Sequence, residues 1–213
     1  MNKKLFTLLF FVASCMTGFA QMSKEGARMM INTKATKEAK KEAKTLKKEG
    51  WQVAPGALPL EKQLERCWTY AYQEDDNGMP KYTSGEAKSI GEVYDAARLQ
   101  ANELAKQELA GKISSEITEL VENSVANKQL AQEEAASVVK TLSNSKSLIE
   151  QSLGRTITGM ECYRKLKNGN TEVLIRTFYL VQSAHDKALN AMREELEKSA
   201  DGLSAKVEKI FGK

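Results

Sequence analysis

Gly91–Asn127 reads GEVYDAARLQANELAKQELAGKISSEITELVENSVAN, which is the longest uninterrupted helical pattern in the chain. Apolar residues recur in it at steps of four and finally three, and this spacing places them on one face of a helix. They are Val93, Ala97, Ala101, Ala105, Leu109, Ile113, Ile117 and Leu120. The first half of this face is rich in alanine and can lie close to a sheet, whereas the second half fills a wider gap. The stretch is therefore predicted to be the spine of one α+β domain.

A first hairpin is predicted on the N-terminal side of this helix. Cys67–Glu74, CWTYAYQE, alternates in the manner of a strand and is rich in aromatic residues. Asn77-Gly78 is a turn dipeptide, after which Lys81–Gly85 returns as the second strand. Ser89-Ile90-Gly91-Glu92 has the spacing of a capping box and predicts where the long helix begins.

A second hairpin is predicted from Thr156–Lys165 and Thr171–Val181, with Asn168-Gly169 as a two-residue turn. This register also places residues of opposite charge next to each other across the two strands. The resulting pairs are Glu161 with Arg176 and Lys165 with Glu172.

Further helices are predicted at Gln129–Ser152, with a weak interruption at 143–145, and after a cap-like Ser183-Ala184-His185-Asp186. Two hairpins on either side of long helices favour an α+β fold with one four-stranded sheet and the helices packed on one face. A basic helix precedes this domain. The sequence divides into a signal peptide at 1–20, a basic helical leader at 21–50 and a single α+β domain at 51–213.

The N-terminal segment predicts export. Met1–Gln21 begins with two lysines and continues with the apolar run Leu5–Val12, which is too short to span a bilayer. Two processing sites compete, and the sequence slightly favours cleavage after Ala20, where small residues stand at the positions that a signal peptidase reads. The other site is the lipobox-like Val12-Ala13-Ser14-Cys15, in which Cys15 would be lipidated. The protein is expected to be periplasmic or associated with the outer membrane, with a lipid anchor if Cys15 is the mature N-terminus.

The chain of 213 residues has 32 basic and 28 acidic side chains, so its net charge of +4 is modest. Its basic residues concentrate between Ser23 and Glu49, which hold eight lysines and one arginine against four glutamates. This leader is either a solvated spacer helix or an electrostatic foot on anionic lipid or cell-wall material. Because it contains no aromatic residue to stack on bases, we expect no nucleic-acid partner.

Cys67 and Cys162 belong to the mature chain under both processing schemes. In an oxidising compartment they could form a disulfide. The alternative, which the sequence favours, is that both are small buried residues with inert thiols. Neither lies in a C-x-x-C pattern, so the spacing for redox catalysis or structural zinc is missing.

The sequence carries no recognisable catalytic, metal-binding or cofactor-binding constellation. The single histidine, His185, has no nucleophile or positioned carboxylate near it in the sequence and is interpreted as a polar residue in a helix cap. Glu74–Gly78 fails as a calcium loop at both ends, and neither a P-loop nor a G-x-G-x-x-G or G-x-S-x-G pattern occurs. We therefore expect no catalytic residue, no metal, no cofactor and no small-molecule substrate.

The helical pattern Ala96-Ala97-Arg98…Ala101…Leu104-Ala105…Leu109-Ala110…Ile113, followed by a two-stranded hairpin, resembles the small bacterial lipoprotein domain of the Lpp-twenty type. That domain is similar to the N-terminal domain of flagellar assembly protein T. The resemblance covers roughly Trp68–Val181 and implies an exported, envelope-associated α+β domain without catalytic residues. The chain departs from it in the basic leader and in the extra helix after Asn127.

These observations favour a non-enzymatic, exported envelope protein that acts as a binding or assembly module, with an envelope protein or a membrane surface as its partner. The aromatic residues that face a partner, if that strand face is open, are Trp68, Tyr70, Tyr72 and Tyr82. Alternatively, these rings belong to a helix-covered core. Two rival functions remain: a hydrolase of envelope polymers with a carboxylate pair assembled in space, and a purely structural periplasmic spacer.

The mature N-terminus is the first point to measure. We expect protein isolated from its native envelope to begin at unmodified Gln21, because small residues precede that position. Intact-mass spectrometry checks this. A chain that begins at Cys15 and carries the mass of acyl groups would contradict the expectation and identify a lipoprotein.

Overall fold

The computed structural model describes residues 24–199 and 202–210, which form an α+β fold of six helices and three antiparallel strands. The predicted signal peptide and Cys15 lie outside the described residues. The helices are α1 (Lys24–Lys48), α2 (Leu60–Tyr72), α3 (Tyr94–Ala126), α4 (Gln132–Leu153), α5 (Val181–Ser199) and α6 (Leu203–Ile210). The strands are β1 (Tyr82–Gly91), β2 (Ile157–Lys165) and β3 (Thr171–Leu180).

The strand order is β1-β3-β2, so β3 is the central strand and pairs antiparallel with both neighbours. Helices cover both faces of this sheet. Val173 and Ile175 of β3 pack against α3, whereas Leu174 and Phe178 pack against the pair α1 and α2. The predicted four-stranded sheet with helices on one face is therefore wrong.

The missing strand is a helix. Cys67 and the aromatic residues after it belong to α2, because Leu60, Leu64 and Cys67 recur at helical spacing and are buried together under the sheet. The alternation of bulky rings imitates a strand, but that pattern extends over only part of the segment. The turn at Gly78 does form, and the chain after it continues as β1 up to Gly91, six residues beyond the predicted end.

The second hairpin is confirmed, but its predicted register is wrong by one residue. The loop has three residues rather than two: Leu166 N–H donates to the Asn170 carbonyl at 2.9 Å, and Gly169 takes a φ of 88°. A third loop residue in the left-handed region is the common alternative to a two-residue turn. The actual cross-strand partners are Glu161 with Ile175, Met160 with Arg176, Arg164 with Glu172 and Lys165 with Thr171.

The predicted spine helix is confirmed as α3, which has 33 residues. It begins at Tyr94, and its N-cap residue Val93 is 61% exposed and makes no side-chain cap. The predicted capping box is therefore wrong. Ser89 instead belongs to β1, where its hydroxyl and the Gln100 side chain are 2.5 Å apart in a hydrogen bond.

The alanine-rich half of α3 lies against the sheet. Ala97, Ala101 and Ala105 are fully buried there. Opposite them stands Gly85 of β1, where an added Cβ would lie 2.9 Å from the Leu109 backbone nitrogen and closer still to the Ala105 carbonyl oxygen. The strand and the helix therefore meet backbone against backbone, which only glycine permits at this position.

The second half of α3 leaves the sheet and forms a helical core with α4, α5 and α6. Ile113 and Ile117 of α3 and Leu189 and Met192 of α5 are fully buried in it, and each such side chain contributes roughly 1.5–3 kcal/mol by its removal from water. α4 is continuous, so the predicted interruption at 143–145 does not occur. α5 begins at Val181, two residues before the predicted cap.

Other groups of the chain cover the free edges of both outer strands. On β1, Glu86 N–H donates to the Glu108 carboxylate at 3.0 Å, and Lys112 donates to the Ser84 carbonyl at 2.7 Å. Three groups cover β2. The Gln52 backbone exchanges two 2.8 Å hydrogen bonds with the Tyr163 backbone, and the Gln63 side chain accepts one from Glu161 N–H at 2.8 Å. The Arg66 guanidinium donates to the carbonyls of Thr158 and Gly159 at 2.9 and 2.8 Å. Such contacts protect a sheet from pairing with another chain.

The same substitution is expected to have opposite effects at two glycines. Gly85→Ala pushes a methyl group into the α3 backbone and should lower the free energy of unfolding by about 3 kcal/mol, the upper end of the usual cost of overpacking. Gly111→Ala, on α3 with only Lys146 Nζ at 3.8 Å, should raise it by about 0.5–1 kcal/mol because alanine favours a helix. Urea denaturation measures both, and equal effects would contradict the close approach.

Candidate functional site

α1 is fixed to the domain along one edge. Ala35, Ala39 and Ala43 recur every four residues and are buried, the latter two in the core that α2 shares with the sheet. Because methyl groups are small, α1 and α2 pack closely over this edge. Two polar contacts accompany it, from Thr36 to Glu65 and from Lys47 to Glu61. The helix that the sequence assigns to the basic leader is thus held to the domain from Ala35 to Lys47.

A half-buried charge cluster joins α1 to the sheet. Arg176, on the central strand, donates to Glu42 of α1 at 2.7 Å and to Glu86 of β1 at 2.6 Å. Glu42 also accepts a 2.7 Å hydrogen bond from the Trp68 indole. Burial alone would lower the pKa of the Arg176 guanidinium, but the hydrogen bond to Glu42 and the charge of Glu86 outweigh burial and raise it. Arg176 therefore stays charged and orients α1 about its own axis.

This orientation turns a row of lysines outward. At 100° per residue the row occupies an arc of about 80° and extends over about 20 Å of helix. Its members, all exposed, are Lys34, Lys37, Lys41, Lys44 and Lys48. We call these five residues the lysine face. Met30, 62% exposed, continues the same row at its N-terminal end.

The charges of the lysine face are largely uncompensated. Lys34 lies over the Tyr72 ring, with its Nζ 4.3 Å from the ring centroid, which is a cation–π contact. The other four lysines make no ion pair with a side chain in the described part of the chain. Of the acidic residues of α1, Glu42 faces Arg176, whereas Glu38 borders the lysine face one turn from Lys34 and makes no ion pair with a described side chain. The outer side of α1 is therefore a rigid cationic surface.

The four aromatic residues predicted to face a partner do not share one strand face. Trp68, Tyr70 and Tyr72 lie on α2 and Tyr82 opens β1, and all four are half-buried. Trp68 stacks on Tyr72 at 5.5 Å beside the lysine face, whereas Tyr70 packs against Tyr82 at 4.7 Å on the other side of α2. The structure thus brings them together in two pairs.

Cys67 and Cys162 are buried free thiols in the same hydrophobic cluster. Burial raises the pKa of each thiol to about 12, because a thiolate would lose its hydration there. Neither thiol is therefore activated as a nucleophile.

His185 is the fifth residue of α5 and therefore not the helix-cap residue that the sequence predicts, and its Nε2 is 3.5 Å from the Glu116 carboxylate of α3. The sequence does not predict this approach, because the two residues are far apart in the chain. The one available signal was the polar series Lys112, Glu116 and Glu119, which lies at helical spacing beside the apolar face of α3. Within residues 24–199 and 202–210 no group of three or more histidine, cysteine or acidic side chains is arranged to hold a metal ion.

Comparisons of the chain with protein-family models, with curated proteins and with solved structures give no match. In the part of the chain that the structure describes, none of the helices combines the length and hydrophobicity needed to cross a bilayer.

The two thiols should resist alkylation in the folded protein. At pH 8 a thiol with a pKa of about 12 is ionised far less than an ordinary one, so native Cys67 and Cys162 should react with iodoacetamide on the order of 1,000-fold more slowly than in denaturant. Peptide-resolved mass spectrometry checks each site. Rapid labelling of either thiol under native conditions would contradict its burial.

Proposed function

We propose that the protein is a non-enzymatic, exported module that binds the anionic membrane surface of the cell envelope through its lysine face. The observation that carries this proposal is the row of five outward lysines on a helix whose opposite edge is buried. A solvated spacer would have no fixed face, whereas α1 presents its lysines in one plane. The export signal predicted from the sequence supports an envelope lipid as the partner of this surface.

The mode of binding is electrostatic rather than insertion. The alanine edge of α1 is packed against α2, and the large exposed apolar residues of α1 are confined to Met29 and Met30 among the described residues, so no continuous apolar stripe is available to enter the acyl region. Each lysine near an anionic bilayer contributes about 1 kcal/mol, and five contribute about 5 kcal/mol if they act additively. Exposed Met30 adds a small apolar contact at the end of α1 nearest the predicted export signal.

The arrangement of Glu116 and Glu119 does not favour the alternative function, a hydrolase of envelope polymers. Glu116 and Glu119 line one cleft between α3, the start of β1 and the start of α5, but both project from one face of α3 and so approach a ligand from one side. Glycoside hydrolysis needs two carboxyl groups that flank the scissile bond. We therefore propose a binding role rather than a catalytic one.

Vesicle co-sedimentation of the mature chain tests the proposal. Binding is expected to vesicles that contain phosphatidylglycerol and not to pure phosphatidylcholine, and to fall steeply with salt because screening weakens exposed charges. The triple variant Lys37→Glu, Lys41→Glu, Lys44→Glu should bind at least about 100-fold more weakly, since three lysines account for about 3 kcal/mol.

The matched control changes the same net charge elsewhere. Lys140→Glu, Lys146→Glu, Lys167→Glu alters three exposed lysines on α4 and in the β2–β3 loop and should keep near-native binding. Circular dichroism verifies that both variants fold. Equal losses in the two variants would show a response to net charge alone, and the lack of native binding to anionic vesicles would overturn the proposal.

A further inference from the structure

A cleft of about 500 Å³ lies at the start of β1, between the middle of α3 and the first turn of α5. It stands apart from the lysine face, on a different set of elements. Its volume is within the range of pockets that hold small ligands or a few residues of a peptide.

The deep part of the cleft is apolar and aromatic. Tyr82 and Phe178 line it, and Phe178 is only 2% exposed. Tyr70 supports both rings from behind, with centroid distances of 4.7 and 5.2 Å. Leu120 adds an aliphatic wall, and Met79 stands at the rim with 62% of its surface exposed. An aliphatic chain laid in the cleft would therefore meet carbon on several sides.

The α3 wall of the cleft is acidic. Glu116 is 37% exposed beside His185, and Glu119 is exposed with no ion pair to a described side chain. Lys112 lines the same wall, but its Nζ lies 2.9 Å from the Glu108 carboxylate and 2.7 Å from the Ser84 carbonyl oxygen, which keeps it on the edge of β1. With Lys112 so occupied, the two carboxylates favour a cationic group in the cleft.

We propose that this cleft binds a lysine or arginine side chain presented by an extended peptide of a partner protein. Such a side chain has an aliphatic stem and a charged tip, which match the apolar interior and the acidic wall in turn. The charged tip forms charge-assisted hydrogen bonds with Glu116 and Glu119. The ligand is opposite in charge to the surface that the lysine face recognises, so this assignment is independent of the proposed membrane role.

The first test is an NMR titration of isotope-labelled mature protein with two short peptides. One is acetyl-alanyl-lysyl-alanine amide, and the other carries norleucine in place of lysine, which keeps the stem and removes the charge. The lysine peptide should shift the backbone amide signals of Ser84, Leu120 and Val181 and leave those of α1 unchanged. The norleucine peptide should bind at least about 5-fold more weakly, and added salt should weaken the lysine peptide alone.

Variants on one helix separate the acidic wall from general charge. Glu116→Gln should weaken the lysine peptide about 10-fold, because this carboxylate is partly shielded, and Glu119→Gln about 2–5-fold, because it is exposed. Glu122→Gln is the matched control: it lies exposed on α3 outside the cleft and should leave the affinity unchanged. Norleucine binding should not respond to any of the three.

Four outcomes would overturn the proposal. In the first, the two peptides bind equally, which makes the cleft merely apolar. In the second, neither peptide shifts the cleft amides. In the third, Glu122→Gln weakens binding as much as Glu116→Gln. In the fourth, a free polyamine binds more tightly than the lysine peptide, which assigns the site to small amines instead of a peptide.

Discussion

The approach of α3 to β1 sets the arrangement of the molecule, because the two elements touch through their backbones. At Gly85, the alanine-rich face of α3 lies directly against the β1 backbone. At that distance Glu108 and Lys112 can reach the free edge of β1. One turn farther along, the helix carries Glu116 past the end of the strand. A bulkier contact would move every one of these groups away from the sheet.

The opposite face of the sheet is organised by charge as well as by packing. Arg176 stands on the central strand with Glu42 on one side and Glu86 on the other, so a single cation links the sheet to α1. Removal of Glu42 or Glu86 should lower the stability of the fold, because Arg176 would keep its charge in a partly desolvated place with one partner fewer. The rotation of α1, and with it the direction of its lysines, therefore depends on residues distant in sequence.

The sequence predicted what periodicity and turn chemistry determine. The buried face of α3 and the existence of the β2–β3 hairpin can be predicted, since each depends on residues within one continuous stretch. α2 was missed because alternating rings at 68, 70 and 72 resemble a strand, although Leu60, Leu64 and Cys67 carried the helical signal. The predicted register of this hairpin is wrong because the loop contains three residues instead of two. The cleft cannot be predicted from the sequence, because it is built from residues of α2, β1, α3, β3 and α5. The orientation of the lysine face cannot be predicted either, because it depends on the contacts of Arg176.

The 33 residues of α3 belong to two cores at once, since its first half packs on the sheet and its second half on α4, α5 and α6. An isolated helix gains little stability in water and depends on the surfaces that cover it. Loss of either core would leave half of α3 uncovered and would weaken the other half through the shared hydrogen-bond ladder. The sheet and the helical core should thus unfold together as one cooperative unit, because both depend on α3.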